Sequence, residues 1–288
     1  MLLMLLFFLL SIAKADFIVV GDWGRGGTEA QKQMADVFKK LDPDFIISSG
    51  DNFYPEGLQS SDDERSFNWV QTYQTNIPWY LCLGNHDYYG DVEAQMELTS
   101  IYKYWNLPSY YYSKKLGDIE FWFIDTTPWL DYNPVHEYKT KEWNYLEERR
   151  DKTMEQYKWL ESSLKHSNST RKIIVGHHPL WTYGEHINEG NDEFRVHLSE
   201  LMVRNNVEAY ICGHDHNLQH VVAYDQNTFI SGAGSWSYDW EWFVGPREMD
   251  ESELKFGSSS YGFLYVHNKK YSFYSLDGQL LYSVNLDY

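Results

Sequence analysis

Short apolar runs alternate with amphipathic stretches along the first two thirds of the chain. Phe17-Ile18-Val19-Val20, Phe45-Ile46-Ile47, Trp79-Tyr80-Leu81-Cys82-Leu83, Ile119 to Ile124, Ile173-Ile174-Val175 and Ala209-Tyr210-Ile211-Cys212 are short and uniformly apolar, the pattern of buried strands. Between the first two, Thr28 and Gln31 have capping-box spacing. Met34, Val37, Phe38 and Leu41 follow at helical intervals, with a stop expected before Pro43. This order predicts a βαβ unit. A polar helix is expected over about 60–76. Gln156, Trp159, Leu160 and Leu164 mark an amphipathic helix, and 193–204 another, with Phe194, His197, Leu198, Leu201 and Met202 inward. Residues 126–152 are polar and irregular, and the tyrosine-rich 88–115 reads as shared between core and substrate rim. Beyond 219 the chain reads as strands and turns, an antiparallel portion. No repeat or low-complexity linker divides residues 16–288, which are expected to form one α/β domain.

The first fifteen residues stand apart. The apolar run from Met1 to Leu10 is followed by Ala13-Lys14-Ala15, the small-x-small ending of a secretory signal peptide, with cleavage expected after Ala15. The run is short for a bilayer span, and no second long apolar run follows, so no stable membrane insertion of the mature chain is expected. A formal charge of −18 argues against nucleic acid as a partner. An apolar content of 43%, with 18% aromatic residues, is ample for a large core. The two cysteines, Cys82 and Cys212, are too few for a disulfide framework and read as buried thiols on neighbouring strands. Asn168-Ser169-Thr170 is an N-glycosylation sequon in a polar stretch, which makes Asn168 a candidate acceptor.

The strand ends carry the chemistry. Five runs finish in glycine and then a metal-competent residue: Gly21-Asp22, Gly50-Asp51, Gly84-Asn85, Gly176-His177 and Gly213-His214. Ligands of α/β sheets bind at the carboxyl ends of strands, and glycine there permits a sharp turn and close backbone approach. With Tyr54 and His216 added, the set of Asp22, Asp51, Tyr54, Asn85, His177, His214 and His216 combines carboxylate, phenolate, amide and imidazole. Such donors suit iron, manganese or zinc, and the set lacks the thiolates of a structural zinc site. Seven ligands exceed one tetrahedral ion but suit two ions sharing Asp51, an arrangement that favours in-line displacement at phosphorus.

Gly-Asp-Trp-Gly, Gly-Asp-Asn-Phe-Tyr, Gly-Asn-His-Asp, Gly-His-His-Pro and Gly-His-Asp-His, in this order, resemble the five blocks of the purple acid phosphatases. They are most similar to the short, mammalian-type tartrate-resistant enzymes among the calcineurin-like metallophosphoesterases. Trp181-Thr182-Tyr183-Gly184-Glu185-His186, Asn217-Leu218-Gln219 and Ser231-Gly232-Ala233-Gly234 extend the resemblance over the mature chain. It implies two mixed β-sheets flanked by helices, in α/β/β/α layers. It further implies Fe(III) held by Asp22, Tyr54, His216 and bridging Asp51, and a divalent ion (iron, zinc or manganese) held by Asn85, His177, His214 and the same Asp51.

The expected activity is that of an acid phosphatase, in which a metal-bound hydroxide attacks a phosphate monoester of a small molecule or phosphoprotein. Two ions bring five positive charges; Asp22, Asp51, a Tyr54 phenolate and a hydroxide remove four, leaving about +1 to attract phosphate in a strongly negative protein. His86 and His186 resemble the family's two active-site histidines that are not ligands, each able to act as general acid or phosphate binder. Asp87 orients His86 or caps a turn, and Asn52 reads as a turn residue. His178 reads as a neighbour rather than a ligand; His136, His166, His197, His220 and His267 read as surface or core. The stretch from Trp236 to Phe243 lines a substrate entrance, or is exposed loop or core. A monomer in the secretory pathway, secreted or endolysosomal (vacuolar), is expected. Two alternatives are a non-catalytic scaffold or membrane-complex protein on the same fold, and a metallophosphodiesterase; Tyr54 separates the ferric, coloured subgroup from the latter.

Overall fold

The computed structural model describes residues 15–73, 76–130, 152–187, 192–238 and 253–286. The signal-peptide segment up to residue 14, His136 and the part of the aromatic stretch from Asp239 onward lie outside the described residues.

Two seven-stranded sheets face each other. One runs β14-β13-β12-β1-β2-β3-β4, the other β11-β9-β10-β8-β7-β6-β5. In the first, β1 (Phe17–Val20), β2 (Phe45–Ser48), β3 (Trp79–Leu81) and β4 (Trp105–Asn106) are parallel. They are extended by the antiparallel β12 (Gly262–His267), β13 (Lys270–Ser275) and β14 (Leu280–Asn285). In the second, β6 (Ile119–Phe123), β7 (Arg171–Val175), β8 (Ala209–Cys212) and β10 (Gln226–Ser231) are parallel. β5 (Tyr112–Leu116) closes one edge, and β9 (Leu218–Ala223) with β11 (Leu254–Ser258) the other.

Period-two alternation decides which residues face which layer. Phe17, Val19, Phe45 and Ile47 point between the sheets, where they meet Phe121, Phe123, Ile173, Val175, Ile211 and Phe229. Ile18, Val20, Ile46 and Trp79 point outward onto α1 (Glu29–Leu41), α2 (Glu64–Tyr73) and α3 (Val92–Ile101), through Met34, Phe38, Trp69, Tyr73 and Leu98. On the far side, Trp122, Ile174, Tyr210 and Ile230 pack on Leu160 and Leu164 of α5 (Thr153–His166), and on Phe194, Leu198 and Met202 of α6 (Asp192–Arg204). The short α4 (Thr127–Leu130) precedes α5. Helices on both outer faces and a core between the sheets make the expected α/β/β/α layers. Each fully buried Phe or Leu contributes about 1.5–3 kcal/mol.

The capping box of α1 forms as its sequence predicts, and the helix ends in a left-handed Asp42 just before Pro43. One expectation is corrected, that the two cysteines lie on neighbouring strands. Residues 88–115 form a 3₁₀ turn, α3, β4 and part of β5, with Tyr88 in the core and Tyr89 exposed. Asp91 starts α3 by accepting from the backbone N–H groups of Glu93 and Ala94, a cap that the sequence carries. Cys82 and Cys212 are free and buried, but they belong to different sheets: Cys82 follows β3 and Cys212 ends β8.

Candidate metal centre

Every glycine-terminated run is a parallel strand, and the loops after β1, β2, β3, β7 and β8 meet where the carboxyl edges of the two sheets converge. The approach requires glycine. A Cβ at Gly84 would collide with the Asp51 carboxylate, and one at Gly213 with that of Asp22. Asp22 (φ 58°), Asp51 (φ 53°) and His214 (φ 69°) take the left-handed conformation that residues with a Cβ seldom adopt. Such backbone cost persists where the surroundings enforce it, characteristically at functional sites.

The strained residues aim their donors at one another. The Tyr54 hydroxyl lies 2.6 Å from Asp51 Oδ2, 3.0 Å from Asp22 Oδ1 and 3.0 Å from His216 Nε2; His216 Nε2 is 3.4 Å from Asp22 Oδ1. A second group forms around the other oxygen of Asp51. His177 Nε2 is 3.4 Å from Asp51 Oδ1 and 3.0 Å from Asn85 Oδ1, and His214 Nδ1 is 3.1 Å from the same Asn85 oxygen. Seven predicted residues therefore fall into two quartets that share Asp51, one oxygen in each. Donors bonded to one ion at about 2.1 Å and at right angles lie about 3.0 Å apart, so the observed separations fit ligands of common ions. Asp22, Asp51 and His177 alone place a donor atom each within 4.8 Å of one another.

Charge points the same way. Asp22 and Asp51 are buried, and among the described residues neither is paired with Lys or Arg. Buried carboxylates require compensating positive charge. Burial, followed by the Asp22 and Asp51 carboxylates, holds the Tyr54 phenol well above its ordinary value. Burial also holds His214 well below the usual imidazole range, with His178, His186, His177 and His216 adding to it. A crowded set of buried acids beside an imidazole held neutral is a site prepared for cations.

Hydrogen bonds orient the donors. His177 Nδ1 lies 2.9 Å from the Ser49 carbonyl, which can only accept; Nδ1 therefore carries a hydrogen, and Nε2 is the ring atom that faces Asp51 and Asn85. His86 Nδ1 is likewise 2.6 Å from the Pro55 carbonyl, so its Nε2 is the proton-exchanging atom. The His186 ring lies against that of His214, with centroids 4.0 Å and planes 33° apart. His178 is in neither quartet: its Nδ1 is 2.8 Å from Thr126 Oγ1, and its ring lies 4.4 Å from that of His214.

Three buried residues hold the loops together, and the sequence reading placed none of them fully. Asp87 does not orient the His86 ring. Its carboxylate accepts from the backbone N–H of Gly84 (2.9 Å), Asn52 (2.9 Å) and Phe53 (3.2 Å), tying the β2 loop to the β3 loop. Asn52 is more than a turn residue: its amide nitrogen reaches the Cys82 carbonyl at 2.9 Å, and its oxygen accepts from Ser48 Oγ at 2.5 Å. Asp215, between His214 and His216, accepts from the His186 backbone N–H (2.9 Å) and from Thr182 Oγ1, fastening the His186 loop to the β8 loop. A carboxylate flanked by ligand positions was the visible signal. Its partners, loops distant in sequence, were not visible. At the rim, Tyr238 lies parallel to His216 (5.2 Å, 6°) and Trp236 is exposed beside it. Asn168 is exposed between α5 and β7.

Comparison with known proteins identifies the family. Residues 15–218 match the calcineurin-like phosphoesterase family. Purple acid phosphatase 7 of Arabidopsis thaliana is 36% identical over 286 residues, covering 94% of this chain and 85% of that protein. Tartrate-resistant acid phosphatase type 5 of Oryctolagus cuniculus is 33% identical over 248 residues, covering 76% and 72%. Among solved structures, GAP50, the anchor in the inner membrane complex of Plasmodium, superposes with a TM-score of 0.73 at 24% identity over 95% of this chain and 89% of that one. Purple acid phosphatase PPD1 from yellow lupin seeds superposes with a TM-score of 0.64 at 16% identity over 93% and 53%; at these identities the likeness is one of fold. The chain is a phosphatase, and it belongs to the purple acid phosphatases within the calcineurin-like phosphoesterases.

Proposed function

We propose that this protein is an acid phosphatase that hydrolyses phosphate monoesters at a binuclear Fe(III)–M(II) centre, M being iron, zinc or manganese. The observation that carries the reading is the division of seven donors into two quartets sharing Asp51, with a phenol in only one of them. Tyr54, Asp22, Asp51 Oδ2 and His216 would hold the ferric ion, because two carboxylates and a phenolate are hard anionic donors suited to a trivalent ion. Asn85, His177, His214 and Asp51 Oδ1 would hold the divalent ion, one neutral amide and two imidazoles being the softer set. When bound, the pair supplies Lewis acidity that polarises phosphate oxygens and acidifies water.

The chain's own residues do the rest. His86, fixed through Nδ1 by Pro55, presents Nε2 to give a proton to the leaving oxygen or to bind phosphate. His186, held through its backbone by Asp215 and with its ring against His214, can do the same from beside the second quartet. Trp236 and Tyr238 form part of the entrance rim. Secretion or delivery to an endolysosomal or vacuolar compartment, with Asn168 glycosylated, completes the reading; it is supported by the leader-like first fifteen residues and by the exposure of Asn168. No helix among the described residues is long and apolar enough to cross a membrane.

The test is colour with a metal assay. Purified protein should carry iron and absorb visible light through a phenolate-to-iron transition. Tyr54→Phe should lose the band. A colourless, iron-free preparation with full phosphatase activity would refute the ferric assignment and favour a diesterase-type metal pair. Protein with both ions bound and no phosphatase activity would favour the scaffold alternative.

A further inference from the structure

Arg25, on the loop between β1 and α1, is turned inward. Its guanidinium carbon sits 4.1 Å from the centroid of the Tyr54 ring and 5.5 Å from that of Trp236. Its Nε is buried with no hydrogen-bond partner, and among the described residues no carboxylate pairs with it. A guanidinium is always charged and weakly hydrated for a cation, and it stacks well on aromatic faces. Here the charge is neutralised neither by an acid nor by full exposure to water. It is directed at the ring whose oxygen touches Asp51 (2.6 Å), Asp22 (3.0 Å) and His216 (3.0 Å). The His86 ring also lies against Tyr54, at 4.4 Å. Trp236, Arg25, Tyr54 and His86 thus form a continuous run of contacts from the exposed rim to the buried donors.

We propose that Arg25 is a positioning residue for Tyr54, holding the phenol ring in place and setting the electron-donating power of its phenolate toward the ferric ion. This rests on the ferric–phenolate reading above. The negative charge of a phenolate is shared with its ring, so a cation over the ring stabilises the donor electrons. It acts more weakly on the acceptor ion, which lies beyond the oxygen. The charge-transfer transition then needs more energy, and the ferric state is less stabilised against reduction. Arg25 therefore moves the visible band to shorter wavelength and raises the ferric/ferrous potential. Trp236 keeps the guanidinium on the ring from the solvent side.

The experiment compares iron-loaded wild type with Arg25→Gln, Arg25→Lys and Trp236→Leu, recording iron content, visible spectrum and reduction potential. Arg25→Gln should retain iron, absorb at longer wavelength and have a lower potential. Trp236→Leu should shift the band in the same direction by less, and Arg25→Lys should lie between Arg25→Gln and wild type. A coloured Arg25→Gln with the wild-type band and potential overturns the role of Arg25 and leaves the ferric reading standing. A colourless iron-loaded wild type overturns both. If Arg25→Gln does not fold, Trp236→Leu decides: a wild-type band in that variant overturns the proposal.

Discussion

His220 makes the stability of this phosphatase fall in acid, and the size of the fall follows from its surroundings. The ring is buried on β9 and stacked on Phe229, with centroids 4.3 Å apart and planes within 8°. Nε2 lies 3.0 Å from Asn227 Oδ1, an acceptor, so it carries the hydrogen. Nδ1 lies 3.0 Å from the Tyr282 hydroxyl, which donates to it. The neutral ring is satisfied at both nitrogens. Burial lowers its pKa from 6.5 to about 4; Lys255 adds to this, and the hydrogen bond to Asn227 opposes it. The unfolded chain takes up a proton near pH 6.5 that the folded chain refuses until about pH 4. Stability is therefore complete above pH 6.5 and is lost as the pH drops through that window. The separation is worth about 3 kcal/mol in full, of which about 2 kcal/mol is gone at pH 5.

The assay is urea unfolding of the metal-loaded wild type and of His220→Gln at pH 7 and pH 5. At pH 7 the variant should be the weaker, because it loses the Phe229 stack and leaves the Tyr282 hydroxyl or Asn227 poorly matched. Between pH 7 and pH 5 the wild type should lose about 2 kcal/mol more than the variant. Protonation of the other histidines is common to both proteins and cancels in this difference. Equal losses would show that His220 is not held neutral, and the linkage reasoning would fail.

Three further outcomes are expected. His177→Ala should remove phosphatase activity and at least one equivalent of metal, whereas His178→Ala, which loses a contact with Thr126 and a tilted ring contact with His214, should keep its metal; equal metal loss in a titration would contradict the donor assignment. Asp87→Ala should weaken metal binding by about 10–100-fold, because three backbone N–H groups of the ligand loops lose their acceptor, and isothermal titration of apo-protein would measure it. Glu208→Gln should destabilise the protein in chemical denaturation, by less than the about 3–5 kcal/mol of a wholly unpaired buried charge, because Arg171 keeps Asp118 at 3.3 Å but loses the charged partner to which it donates at 2.6 and 2.8 Å and to which Tyr271 donates at 2.6 Å.

What could be read from the sequence, and what could not, follows the range of the interactions. Gly50-Asp51 and Gly213-His214 announce themselves because a strand end, a glycine and a donor are adjacent in the chain, and the left-handed backbone at Asp51 and His214 is a local property. The partition of donors between two ions was not legible in spacing. It comes from the resemblance, and the distances are compatible with it because Asp51 turns one oxygen to Tyr54 and the other to His177. Asp87 and Asp215 escaped because their work is done on backbone N–H groups, which every residue has and no pattern marks. Asn52 looks like a turn residue in the sequence for the same reason, since its partners Cys82 and Asp87 lie 30 and 35 positions away. Arg25 left no trace at all: a lone arginine in a glycine-rich loop gives no sign of which ring it will cover. The proposed metal ligands are thus the legible part of the site. The residues that tie their loops together are legible only once the two sheets are packed face to face.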